Sequence, residues 1–432
     1  MPELSTLPAG ELVRRHNHLR ERYGRFRALG LSLDMSRGKP CAEQLDLSSG
    51  LFDCVTADDC RAADGADCRN YGFVDGLPEA RALFAAYLGA RPEQTIVGDN
   101  SSLAMIHDTV ARALSHGVPG GEWPWGRLPA VRILCPCPGY DRHFAIFEHF
   151  GVEMLPVAMG PDGPDMDTVE SLSAQDAAVK GIVCVPKYSN PTGVTYSDEV
   201  VGRLAAMRTA APDFRIFWDN AYCVHDLTDS PPALKNILDA CVATGDPERA
   251  IVFGSTSKVT FAGAGVAAMA AGPHTIAWMK RHLSLRTIGP DKLNQLRHVR
   301  FLRDMDGVRA HMRRHAELLR PKFEAVQQVF ASRLGGTGVA EWSRPQGGYF
   351  ISLDAAAGCA KAVVALASRA GVKLTPAGAT FPYGRDPEDR NIRIAPTLPP
   401  LEEVRRAMEV VALCVELTAV RKLLGEKDLA GV

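Results

Sequence analysis

The chain has 432 residues, 46% hydrophobic and 23% charged, with 49 basic against 50 acidic side chains and a formal net charge of −1. Such a chain buries a large core in two or three domains, and its balanced charge provides no global field to draw nucleic acid or an anionic membrane. Eleven cysteines without paired CxxC spacing, no apolar targeting segment and no membrane-length apolar run together exclude a zinc site, a disulfide framework and a membrane span, and predict free thiols in a reducing cytoplasm.

In chain order, Glu11 to Leu29 has a helical pattern, with Leu12, Leu19, Tyr23 and Phe26 on one side. Gly and Pro in SRGKP (Ser36 to Pro40) break any helix, and Leu51 to Asn70 is polar loop with a short helix. Pro78 opens a helix that runs to about Leu88. Thr95 to Val97 is a short strand, followed by GDNSS (Gly98 to Ser102) and a helix from Leu103 to about Leu114. Val131 to Cys135, Val152 to Val157, Gly181 to Pro186, Phe214 to Trp218, Ala250 to Phe253 and Val266 to Ala271 are further strands, and helices or loops separate most of them. This alternation predicts an α/β domain with a mainly parallel sheet. Leu296 to Arg333 reads as one long helical stretch bridging two domains. Gly347 to Leu353 and Asn391 to Ala395 read as strands of a smaller α+β domain, which the helix Leu401 to Leu424 closes. The predicted division is an N-terminal arm with part of the small domain (1–55), a large domain (56–300) and a small C-terminal domain (301–432).

Ligands of open α/β sheets sit outside the carboxyl ends of the strands, and the loops leaving those ends carry distinctive residues. Lys258 follows a buried strand and the small hydroxyl residues Ser255, Thr256 and Ser257. Its amine suits a Schiff base with an aldehyde cofactor, although a lone S-x-S-K by itself favours a solvated lysine in a strand-to-helix turn. Ser101 and Ser102 open a helix N-terminus, which is an anion site or an ordinary cap. Asp219 follows IFW directly, and its poorly solvated carboxylate needs a cationic partner unless it caps the next helix. Asn190 and Tyr222 can donate to a phenolate oxygen, and Tyr140 can stack on an aromatic ring. Aldehyde, phosphate, pyridinium and phenolate together describe pyridoxal 5′-phosphate.

At this point the chain resembles the fold-type I, class I aminotransferases. The matching pieces, in order, are NYGFVDGLPEAR (Asn70 to Arg81), VGDNSS, PGYDRHF, YSNPTG (Tyr188 to Gly193), DNAY (Asp219 to Tyr222), STSK, PQGGYF and NIRIAP. SRGKP, VTFAGAG after the lysine, and IGPDKLNQLRH are similar to the type Ic aspartate aminotransferases, which themselves resemble the effector domains of MocR-type regulators. The resemblance implies that Lys258 is the Schiff-base lysine and proton carrier, that Asp219 holds the ring nitrogen protonated, and that Asn190 and Tyr222 bind the phenolate oxygen. It implies that Tyr140 stacks on the ring, that Ser101, Ser102, Ser255 and Ser257 hold the phosphate, and that Tyr71 reaches over from the partner subunit of a homodimer. Arg393, with Gly38 and Asn190, would hold the substrate carboxylate, and Arg286, Arg37 or Lys39 a distal one. The implied reaction is ping-pong transamination between L-aspartate and 2-oxoglutarate. An aminotransferase or C–S lyase for another amino acid would share every cofactor residue. A MocR-type regulator would need a winged helix-turn-helix ahead of this part, and about seventy residues precede Tyr71. One departure concerns the phosphate: where many relatives carry an arginine eight residues past the lysine, this chain has Val266, with Lys292 and Arg297 as candidate substitutes.

Overall fold

The computed structural model describes residues 3–431. An eight-stranded sheet runs in the order Thr95–Val97, Ala267–Ala271, Ala250–Ser255, Arg215–Asp219, Val179–Cys184, Arg132–Cys137, Glu153–Gly160 and Gly163–Pro164. The five strands from Ala250–Ser255 to Glu153–Gly160 are mutually parallel. Ala267–Ala271 runs against its neighbours on both sides.

The central strands are apolar over most of their length because helices cover both faces. Their side chains alternate between two cores, as the period of a strand requires. Ile251, Phe253 and Phe217 pack into one face with the helices Ser102–His116, Asp141–His149 and Pro273–Arg286. Val252, Ile216 and Trp218 pack into the other with Pro78–Leu88 and Asp198–Ala206. The second of these helices starts where its sequence directs: Ser197 Oγ accepts the Val200 N–H at 3.2 Å, and Asp198 and Glu199 occupy the first turn.

A third core gathers the N-terminal helix Ala9–Ala28, most of the C-terminal third and the closing helix Leu401–Leu423. It carries a three-stranded antiparallel sheet of Ala340–Trp342, Ile351–Ala355 and Asn391–Ile394. Leu33–Asp34 pairs with Val372–Lys373, so the N-terminal segment belongs structurally with the C-terminal one.

Two expectations change in detail, and residues 256–266 form an irregular connection between antiparallel neighbours rather than the strand-to-helix turn of the alternative reading. The PQGGYF strand begins only at Ile351. Before it the backbone pairs elsewhere: the Leu227 N–H donates to Gln346 O and the Gly348 N–H to His225 O, both at 2.9 Å, and a Cβ on Gly347 would overlap the Tyr188 ring. The long helical stretch is two helices, Lys292–Leu302 and Met305–Leu334. Between them Arg303 takes φ 64° and ψ −64°, and the Asp304 N–H donates to Leu302 O at 2.8 Å, which makes a strained γ-turn. Asp304 Oδ1 then caps the second helix by accepting the Gly307 N–H at 2.8 Å. That helix bridges as expected: Val308 and Met312 join a sheet core, and Leu319 to Leu334 the third core.

The break depends on Gly307, whose Cα faces the backbone carbonyl of Leu302 with no room for a methyl group. Gly307→Ala is expected to destabilise the protein by about 1–3 kcal/mol, the usual range for overpacking against a rigid neighbour. Urea denaturation checks this; an unchanged midpoint would show that the γ-turn yields freely.

Candidate active site

All the loops singled out from the sequence leave the same edge of the sheet. A cavity of about 220 Å³ opens there, lined among others by Ser101, Ser102, Tyr140, Asn190, Asp219, Tyr222, Ser255, Ser257 and Lys258. They lie at or just beyond the carboxyl ends of five strands, the position such a sheet reserves for ligands.

Asp219 is the last residue of its strand and is 2% exposed. His143 Nε2 lies 3.0 Å from Oδ2, and a carboxylate accepts, so the imidazole donates. Oδ1 is buried and has no partner. A buried, half-satisfied carboxylate is costly, and an incoming cationic N–H donor completes it. Sequence reasoning did not single out His143. Its signal was present: it stands three residues after Tyr140, so the first turn of the helix Asp141–His149 brings the two rings edge to face, with centroids 4.8 Å apart. Burial pushes the Tyr140 hydroxyl up to about 12, which keeps it protonated.

Lys258 Nζ stands 5.0 Å from the centroid of the Tyr222 ring. It makes no hydrogen bond or ion pair among the described residues. Burial lowers its pKa, and the nearby Asp219 carboxylate opposes that shift in part. Asn190 uses Oδ1 to accept from Arg393 Nη1 at 3.3 Å, and its Nδ2 is buried without a partner. The polar atoms here are therefore held in place and incomplete: Asp219 lacks a donor, and Asn190 lacks an acceptor.

At the opposite end, Ser101 Oγ caps the helix Ser102–His116 by accepting the Ala104 N–H. Ser257 Oγ accepts from Ser255 Oγ at 3.1 Å and donates to Asn100 O at 3.0 Å, which ties the lysine turn to that helix N-terminus. Gly265 closes the same corner: a Cβ on it would lie 2.9 Å from Asn100 O and 3.0 Å from Ser257 Oγ. Hydroxyls and a helix N-terminus thus meet at this corner, the kind of donors an anion takes. Val266 does not face it. Its side chain is buried in a sheet core, and its N–H donates to Thr256 Oγ1 at 2.9 Å. Lys292 Nζ donates to Gly72 O, and Arg297 lines a separate hollow beside Gly265, so neither lines the Lys258 cavity.

Arg393 comes from the small sheet. Its Nη1 donates to Asp141 Oδ1 at 2.7 Å, and its Nε is buried without a partner. Its Cζ stands 5.0 Å from the Phe350 ring centroid. On Gly38, a Cβ would lie 2.8 Å from the edge of that same ring, so Gly38, Phe350 and Arg393 form one layered contact. Asp141 and Phe350 escaped the sequence reading, because nothing in their local pattern shows that Arg393 meets them. Arg37 and Lys39 are exposed. In this chain Arg286 is paired through both Nη atoms with Asp99, each at 2.9 Å, and reaches Asp108. Tyr71 is 77% exposed, away from its own chain's cavity.

The fit to pyridoxal phosphate rests on these incomplete atoms: a carboxylate oxygen for a ring N–H, an amide for an oxyanion, an anion corner, and a free amine between them. Fold and site together define a pyridoxal-phosphate-dependent aminotransferase of fold type I. Residues 7–427 match the aspartate amino-transferase family, and the chain belongs to it. It is similar to an aspartate aminotransferase of Corynebacterium glutamicum, with 47% identity over 94% of this chain and 93% of that protein. The crystal structure of an aspartate transaminase from the same species superposes with a TM-score of 0.95 at 46% identity, covering 98% of this chain and 99% of that one. The α-aminoadipate aminotransferase LysN of Thermus thermophilus, complexed with N-(5′-phosphopyridoxyl)-L-leucine, shares the fold at a TM-score of 0.73 and 20% identity, covering 91% and 93%.

Gly38→Ala is expected to push Phe350, and Arg393 with it, and to raise KM for the amino-acid substrate by about tenfold while kcat changes less. Steady-state kinetics check it; a KM within twofold of the unaltered protein would show that the ring can move without disturbing Arg393.

Proposed function

We propose that the protein transaminates L-aspartate with 2-oxoglutarate in a ping-pong reaction, with Lys258 as the residue that binds the cofactor and moves the proton. The observation that carries this reading is the pairing of an unpartnered Asp219 oxygen with a free, burial-depressed Lys258 amine in one cavity. When bound, pyridoxal phosphate supplies an electron sink for the charge that develops at the substrate α-carbon. Asp219, oriented by His143, holds the ring nitrogen protonated. Asn190 Nδ2 and the Tyr222 hydroxyl hold the ring oxygen, and Tyr140 covers one ring face. Ser101, Ser102, Ser255 and Ser257 with the helix N-terminus hold the phosphate. Lys258, whose depressed pKa favours the neutral amine, takes the α-proton and returns it on the far side of the transfer.

Arg393 is the proposed α-carboxylate clamp. Its Nη1 is already committed to Asp141, and the unpartnered Nε belongs to the edge left for a carboxylate fork. The aspartate assignment follows the names of the two Corynebacterium relatives. We further propose a homodimer with shared active sites, in which Tyr71 and Arg286 serve the partner's cavity. The exposure of Tyr71, Leu285 and Ile288 supports it, since large apolar side chains left in solvent mark interaction surfaces. Pairing with Asp99 gives Arg286 a fixed orientation from which a distal carboxylate would have to displace or share it. The division at 1–55, 56–300 and 301–432 is likewise proposed, supported by the pairing of Leu33–Asp34 with Val372–Lys373 and by the separate third core. Among the described residues no helix is long and apolar enough to cross a membrane, and all eleven cysteines are free; both support a cytoplasmic protein.

Arg393→Ala is expected to lower kcat/KM for aspartate by about 10- to 100-fold, the scale of a charge-assisted hydrogen-bonded pair. A panel of amino donors with 2-oxoglutarate tests the substrate. Turnover of aromatic or branched donors with none of aspartate would sink the aspartate assignment and leave the aminotransferase class intact.

A further inference from the structure

Lys258 sits on irregular backbone, and its own carbonyl and that of Val259 receive no backbone N–H. Buried carbonyls need donors, and here side chains from distant segments supply them. His225 Nε2 and the Tyr349 hydroxyl each lie 3.3 Å from Lys258 O, and His311 Nε2 lies 2.8 Å from Val259 O. Gln44 and His315 stand behind these groups, and all five side chains are buried.

The protons of this cluster can be placed. A carbonyl only accepts, so His225 Nε2–H, Tyr349 O–H and His311 Nε2–H donate. The Cys41 N–H donates to Gln44 Oε1 at 3.1 Å, which turns the amide so that Nε2 donates to the Tyr349 hydroxyl and to His315 Nδ1, both at 2.9 Å. His315 therefore carries its proton on Nε2, which faces the His311 Nε2–H at 3.1 Å, and it is His311 that donates to Val259 O. His225 Nδ1 is left as a bare lone pair. This placement leaves all three histidines neutral. Burial agrees with that: it pushes His225 and His315 down to about 3 and lowers His311 as well.

We propose that His225, Tyr349 and Gln44, with His311 and His315, are positioning residues that fix the backbone at Lys258 and so aim its amine into the cavity. The inference rests on the reading of Lys258 as the cofactor lysine. The anchor draws on the N-terminal segment (Gln44), the long helix (His311, His315) and the loop leading into the small sheet (Tyr349). His225 adds the turn that begins at Tyr222, and the His225 N–H donates to Tyr222 O at 3.0 Å. The residue under the amine and the residue holding its backbone are thus parts of one turn. Misplacing a reacting group by 1 Å can cost about 100-fold in rate, and a loosened anchor acts on that scale.

The test compares His225→Leu, which removes the donor, with His225→Gln, which keeps an N–H at similar reach, and with Tyr349→Phe, which deletes one oxygen. Three quantities are read: kcat and KM of the aspartate half-reaction, the thermal midpoint of the cofactor-free protein, and the pH at which the bound cofactor's visible band changes. His225→Leu and Tyr349→Phe are expected to lower kcat about tenfold with KM within about twofold, and to shift the spectral midpoint by about half a pH unit or more. His225→Gln is expected to recover most of both, even where its thermal midpoint falls. A Gln variant as slow as the Leu variant, or unchanged kcat and spectral midpoint in Tyr349→Phe, would overturn the proposal. Should His225→Leu not fold, Tyr349→Phe decides alone. A Lys258→Ala protein that kept the band and its turnover would instead overturn the reading of Lys258 itself.

Discussion

The active site depends on a single half-satisfied carboxylate. Asp219 ends a fully buried strand, with its neighbours Phe217 and Trp218 packed into opposite cores. One oxygen is held by His143 and the other has nothing. An isolated charge in such surroundings is unfavourable by several kcal/mol, and in the proposed reading a protonated ring nitrogen would offset that burden. The protein stores an electrostatic demand in its rigid part, and the cofactor answers it. The five parallel strands matter for function chiefly because they point Asp219, Asn190, Tyr140 and the lysine turn at the same point.

The two ends of the cavity are built differently. The anion end is tied together locally, through Ser255, Ser257, Asn100 and the close approach of Gly265. The carboxylate end is built across the chain: Arg393 from the small sheet meets Asp141 and Asn190 of the large one, over a Phe350 ring that Gly38 leaves room for. In the proposed reading, shifts of the small sheet relative to the large one would therefore change substrate contacts while leaving the cofactor's seat intact. That division suits a reaction in which the cofactor stays and two substrates alternate.

Much of this was legible in the chain. Buried strands announce themselves by continuous apolar runs, and helix starts by Pro78 and Ser197. Lys258, Asp219 and Asn190 stand out because polar groups directly after such runs need an explanation. The rest was not legible because it is set by tertiary contact. Nothing near Arg303 marks a γ-turn, since the helical pattern continues across it. The segment Gly347 to Phe350 reads as strand, but its start pairs with His225 to Leu227, far away in sequence. Val266 marked a missing arginine, but its core position and its bond to Thr256 could not be read from spacing. The histidines behind Lys258 look like ordinary helical and loop residues until the fold brings them to two orphan carbonyls.

The most direct test of the central claim is nitrogen NMR of the protein loaded with pyridoxal phosphate labelled at the ring nitrogen. A ring nitrogen protonated at neutral pH and above in the unaltered protein, and deprotonated in Asp219→Asn, is the result this account predicts. A nitrogen unprotonated at neutral pH in the unaltered protein, or equally protonated in both, would contradict it.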